Sequence, residues 1–150
     1  MARRPPVHEA IISKKAPKPI GAYAQAIRVQ RPGEMLFVSG QIPIEVPSGK
    51  VFSGDIKRQA EIAFSHVKNI VLDAKFSIDE LVKVTIFLTD LDSFETVNDV
   101  YQKMFVGAGV PARAVVQVAG LPKGVGIEVD AIAIKKGSAV DDAFSDDDFS

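Results

Sequence analysis

The spacing of apolar residues predicts two amphipathic helices set among strands. Over residues 55–74, Ile56, Ala60, Ala63, Val67, Ile70, Val71 and Ala74 recur at helical intervals, and charged residues fill the other face. Asp55 stands where an N-cap belongs. Ser77-Ile-Asp-Glu80 has the form of a capping box opening a single turn. A second stripe, Phe94, Val97, Tyr101, Met104 and Phe105, predicts a helix opened by Asp92 as cap with Glu95 at its third position. Gly107, Gly109 and Pro111 stop it. The clearest strand is 81–89, where Val82, Val84, Ile86 and Leu88 share one face. Shorter strands are expected at 8–14, 23–30 and 35–39, with RPGE (31–34) as a turn between the last two. Strands at 112–119 and 127–135 are joined by GLPKGVG, which reads as a hairpin connection.

The resulting order, β-β-β-α-β-α-β-β, predicts an α+β domain: one mixed or antiparallel sheet with two helices on one face. The strands facing away from those helices are not polar enough to be wet. Val115, Ile132, Ile134 and Phe87 are assigned to that open face, where an apolar patch calls for a cover, most simply another copy of the chain.

Composition narrows the chemistry. The chain has 150 residues, 47% hydrophobic and 25% charged, the profile of a single globular domain. No apolar run reaches the roughly 18 residues of a membrane span. The first twenty residues lack the apolar centre of a secretory signal, which points to the cytoplasm. Arg3 and Arg4 leave a mitochondrial presequence open. With no cysteine and only His8 and His66, thiol catalysis and Cys/His metal sites are excluded within one chain, and no metal is expected. The last ten residues carry five of the 19 acidic side chains. Without them 14 acidic residues face 18 basic ones, so a core of charge +4 bears an acidic tail. The domain is expected to span 8–136, between an extension (1–7) and that tail (137–150). Within the tail, Ser145 precedes three aspartates as an acid-directed kinase site would.

Arg113, after Val-Pro-Ala, is either an exposed strand end or a guanidinium held in a semi-apolar cleft, where it would grip a carboxylate. Glu128 is an exposed carboxylate at a hairpin mouth or a partner of that cleft. If Gln117 pairs with Glu128, Arg113 stands roughly 13 Å further along the same face. The two would then bracket a substrate or meet across a subunit boundary. Tyr23 is a packing residue or a cleft hydroxyl, and Asn98 an exposed amide or one that holds a loop or ligand. Ser39-Gly40 allows close backbone approach. His66 reads as a surface histidine. No phosphate-binding loop and no G-x-S-x-G elbow occurs.

In the order IGAYAQAI, LFVSGQIP, VKVTIFLTDLDSFETVNDVYQKMF and VPARAVVQVAGLPKGVGIEVDAIAI, these segments resemble the Rid/YjgF family of reactive-intermediate deaminases over about residues 8–136. The resemblance implies a chorismate-mutase-like fold and a barrel-like homotrimer with clefts between subunits. It further implies cofactor-free hydrolysis of 2-imino and 2-enamine acids, such as 2-aminoacrylate, to 2-keto acids and ammonia. It assigns Arg113 to the substrate carboxylate and Glu128 to the hydrolytic water. Tyr23, Ser39, Gly40, Asn98 and Val115 fall at cleft positions. Nucleic acid and membranes are not expected partners; the alternatives are an endoribonuclease or translation inhibitor, or a non-catalytic keto-acid-binding or holdase protein. The chain departs from the family pattern at Val115, where many members have cysteine. Ala22 stands in place of proline, and Gln117 and Gly120 replace charged side chains.

Overall fold

The computed structural model describes residues 7–138. The extension 1–7 (save Val7), most of the tail and Ser145 lie outside the described residues. Eight main elements follow in order: β1 (Glu9–Ile11), β2 (Ala26–Arg28), β3 (Pro32–Gln41), α1 (Ile56–Asp73), β4 (Leu81–Leu88), α2 (Phe94–Met104), β5 (Ala112–Gln117) and β6 (Ile127–Lys136). β1 and β2 form a small antiparallel ribbon. The main sheet has the order β3-β6-β4-β5.

The helices form where the pattern put them. Asp55 caps α1 by accepting from the Arg58 amide. The Ser77–Glu80 capping box closes a single 3-10 turn. The start of α2 differs. Asp90 caps a short 3-10 turn, Leu91–Ser93, by accepting from the Asp92 amide, and α2 continues from it without a side-chain cap at Ser93. After α2 the chain passes through Gly107 at φ 79, a left-handed conformation suited to glycine.

Both helices cover one face of the sheet. Val84, Ile86 and Leu88 of β4 pair with Ala131, Val129 and Ile127 of β6, and these six side chains form the floor of the core. Val67 and Val71 of α1 and Val97 and Tyr101 of α2 pack against that floor. A register shift between Leu81 and Lys83 sets Leu81, not Val82, into the core. RPGE is not a free turn: Arg31 takes a positive φ of 82, and Pro32–Glu34 already belong to β3.

Two expectations are corrected. Strands 112–119 and 127–135 do not form a hairpin. β5 lies parallel to β4 at the sheet edge, whereas β6 runs antiparallel between β3 and β4. The β4–α2–β5 unit is a crossover, which parallel neighbours require, and GLPKGVG carries the chain past β4. Val115 is not on the open face either. It is in register with Ile86 and packs against the core beneath the helices.

The open face keeps its apolar character. Met35 and Phe37 are 50% and 68% exposed and stand beside Ile134 and Ile132 of β6, while Phe87 lies beside Val116. No helix among the described residues is long and apolar enough to cross a membrane.

Candidate functional site

Arg113 rises from the second position of β5 on the helix side of the sheet, in register with the buried Val84. Its guanidinium meets α2. Nη1 donates to Asn98 Oδ1 at 2.7 Å. The guanidinium carbon lies 4.7 Å from the Tyr101 ring centroid, 5.7 Å from Phe94 and 5.4 Å from Tyr23. Phe94, Asn98 and Tyr101 are spaced i, i+4 and i+7, so one face of α2 presents all three. That spacing was legible in the sequence, where Phe94 and Tyr101 read as core stripe and Asn98 as a separate residue.

Tyr23 arrives from a different segment. The Ala24 amide donates to Pro111 O at 3.0 Å, and Ala24 bridges to Ala112 in parallel fashion. This straps the 17–24 loop to the start of β5. The Tyr23 hydroxyl accepts from the Ile20 amide at 3.2 Å, so it holds its own loop while its ring faces Arg113. Gly21 completes the enclosure, since a Cβ there would sit 3.1 Å from Arg113 Nη2.

Arg113 is half-buried, and burial pulls its guanidinium below the ordinary value, with Tyr101 and Tyr23 acting weakly in the opposite sense. Among the described residues no carboxylate pairs with it. A guanidinium carries five N–H donors, and Asn98 is its one hydrogen-bond acceptor among those residues. The arrangement is a partly desolvated cation with donors to spare, the complement of a small planar anion.

Glu128 lies elsewhere. It is in register with Phe87, on the open face, so it and Arg113 point to opposite sides of the sheet, contrary to the shared face expected from the sequence. Gln117 pairs with Leu88, not with Glu128, which removes the assumed register. Counting along β6 and across β4, the two backbones stand roughly 14 Å apart. A β-bulge shapes the surroundings of Glu128. Val38 pairs with Ala131 and Gln41 with Val129, so Ser39 and Gly40 together oppose the single residue Asp130. Gly40 then approaches Glu128 so closely that a Cβ there would fall 2.4 Å from Glu128 Oε1. Ser39 is exposed beside it.

The structure thus brings Arg113, Asn98 and Tyr23 together, with Val115 two residues along the same strand face. It groups Glu128, Gly40 and Ser39 separately on the other side. Sequence reasoning missed Phe94, Tyr101 and Gly21 as neighbours of the guanidinium. His66 is not a free surface imidazole, because its Nε2 lies 2.6 Å from Ile44 O and ties α1 to the loop after β3.

Comparison with known proteins gives one answer. The family profile described as endoribonuclease L-PSP matches residues 13–135. A RutC family protein of Pyrococcus abyssi is 47% identical over 85% of this chain and 98% of its own length. TdcF of Escherichia coli, named as a candidate reactive intermediate deaminase, is 41% identical over 83% of this chain and 95% of its own. A crystal structure of E. coli TdcF with bound serine superposes with a TM-score of 0.66, at 40% identity, covering 85% of this chain and 99% of that one. A candidate endoribonuclease from Thermotoga maritima gives a TM-score of 0.67 at 45% identity, covering 86% and 98%.

Proposed function

Because the chain belongs to the YjgF/Rid family, we propose that it hydrolyses 2-imino acids and their enamine tautomers to 2-oxo acids and ammonium, in crevices where copies of the chain meet. The observation that carries this reading is Arg113: a half-buried guanidinium, without a counter-carboxylate among the described residues, braced by Asn98 and three aromatic rings. A 2-imino acid offers few handles beyond its carboxylate, and two parallel N–H···O bonds fix both its position and its plane. TdcF, with serine bound, is a related protein holding a molecule with the same α-carboxylate.

The chemistry asks little more. The carbon of a protonated imine is already electrophilic. Water adds to it with loss of a proton, that proton passes to nitrogen, and the carbon–nitrogen bond breaks while the new hydroxyl gives up its proton to the departing ammonia, leaving a 2-oxo acid and ammonium. The protein must position the acid, orient the water and carry its proton. Glu128 is the proposed carrier, and Gly40, which lacks a side chain, lets that carboxylate lie directly against the β3 backbone. Because Glu128 and Arg113 occupy opposite faces of their own sheet, Arg113 of one copy must meet Glu128 of another. The apolar open face around Phe37 and Met35 supplies a reason for copies to join, as the homotrimer of a barrel-like assembly. The proposed reaction uses no cofactor.

The test is Arg113→Ala, assayed for ammonium released from freshly generated 2-iminobutanoate and 2-iminopropanoate. Truncating one side of a desolvated charged pair costs about 2–5 kcal/mol, so kcat/KM should fall at least thirtyfold with the assembly intact. Turnover close to wild type would defeat the proposal. The endoribonuclease description of the family gives the competing reading. Against it, His8 and His66 are both engaged by backbone carbonyls, of Ile134 and Ile44, rather than set together as an acid–base pair. RNA cleavage that co-purifies with the protein and vanishes in Arg113→Ala would favour it.

A further inference from the structure

Asn98 fixes one edge of the Arg113 guanidinium, and something must fix its plane. Tyr101 is the nearest of the three rings and the least able to move. It is fully buried, and its ring makes tilted contacts with Phe64 at 5.7 Å and Phe105 at 4.8 Å, which lock it into the core between the helices. Tyr23 and Phe94 are half-buried, and Tyr23 sits on a loop. The Tyr101 hydroxyl is buried and has no hydrogen-bond partner among the described residues. The phenol oxygen therefore makes no hydrogen bond to the guanidinium, and the ring face gives the shortest of the three ring–cation distances. A planar, weakly hydrated guanidinium is attracted to such a face, and more strongly where water is excluded.

We propose that Tyr101 is a positioning residue. Its core-locked ring orients Arg113 before any ligand arrives, so the carboxylate meets a preformed fork rather than a mobile side chain. This inference rests on the reading of Arg113 as the carboxylate receptor and adds a chain of support to it, from Phe64 and Phe105 through Tyr101 to the guanidinium. Because carboxylate anchoring acts on bound substrate and transition state alike, the effect should fall on KM and not on kcat.

The test uses the full-length protein with two readouts: KM and kcat for imine hydrolysis, and calorimetric Kd for 2-oxobutyrate, an unreactive anion of the same shape. Tyr101→Leu should raise KM and Kd about tenfold with kcat nearly unchanged, whereas Tyr101→Phe should restore both to within about twofold of wild type. Phe94→Leu, at a half-buried position, should weaken binding by a smaller factor. If Tyr101→Leu does not fold, Tyr101→Phe is compared with the same variant carrying a trifluorinated ring of nearly equal shape and a weaker quadrupole. Several-fold weaker binding by the fluorinated protein supports the proposal. Unchanged KM and Kd in Tyr101→Leu, equal damage from Tyr101→Phe, or equal affinity in the fluorinated pair would overturn it. A wild type that binds 2-oxobutyrate but turns over no imine defeats the deaminase reading alone, and the Kd series still decides the role of Tyr101. A wild type that binds no 2-oxobutyrate defeats both.

Discussion

Gly40→Ala is the smallest change that reaches the proposed water-handling side of the site. The added Cβ would fall 2.4 Å from Glu128 Oε1, 2.8 Å from its Cδ and 3.0 Å from its Cγ. Rotating the carboxylate alone cannot relieve all three contacts, because Cγ is itself too close. Glu128 must change its inner torsions, and its oxygen must retreat by about 1 Å from the position it holds beside Gly40. An off-rotamer side chain costs about 0.5–1.5 kcal/mol, so the melting temperature should drop by only a few degrees. Activity should suffer more, since misplacing a reacting group by about 1 Å can cost on the order of a hundredfold. The assay is ammonium release from 2-iminobutanoate, alongside thermal denaturation of Gly40→Ala, Glu128→Ala and the double variant. The clash disappears when Glu128 is truncated, so the double variant should be more stable than the sum of the two single losses implies. Wild-type turnover in Gly40→Ala, or strictly additive stabilities, would refute the close approach on which the argument depends.

Other outcomes follow from the same geometry. Asn98→Ala removes the hydrogen-bond acceptor of Arg113, a charge-assisted bond of about 1.5–3 kcal/mol, and should lower kcat/KM roughly ten- to hundredfold with little change in melting temperature; an unchanged KM would contradict it. Phe37→Glu puts a charge into the apolar open face and should convert the proposed assembly to single chains by light scattering, with the proposed activity lost in step. Retention of the assembly would show that this face is not the joint. Tyr101 titrates well above its ordinary value because burial disfavours the phenolate, with the Arg113 charge pulling weakly the other way. Its contribution to stability is therefore complete below about pH 10 and is lost as pH rises beyond it. Urea denaturation from about pH 9 to 11 should show Tyr101→Phe at least as stable as wild type throughout, with its advantage widening at the alkaline end. Parallel curves would remove the buried phenol from the account.

Much of the architecture could be read from local pattern. The α1 stripe, the Asp55 cap and the period-two alternation of β4 each depend on neighbours within a few residues. Strand adjacency does not. Nothing in GLPKGVG distinguishes a tight hairpin from a connection that steps over β4, and the wrong choice set Glu128 beside Gln117. Alternation also tells only which residues of one strand share a side. Comparing Arg113 with Glu128 requires the register of both against β4, and that is a long-range property. The bulge at Ser39-Gly40 is hidden for the same reason, because it exists only relative to β6. The two groups of candidate residues could therefore be singled out one by one, while their separation by the sheet could not.

The place of β6 governs how the chain can be made. It is the last strand synthesised among the described residues, yet it lies between β3 and β4 and is bonded to both. Val38 waits for Ala131, about ninety residues later, which is on the order of ten seconds at the ribosome. Until then the edge of β3, and that of β4 once it is made, lacks the partner that β6 supplies. A message interrupted before residue 127 is expected to yield a sheet without its keystone, its two open borders ready to pair with other nascent chains.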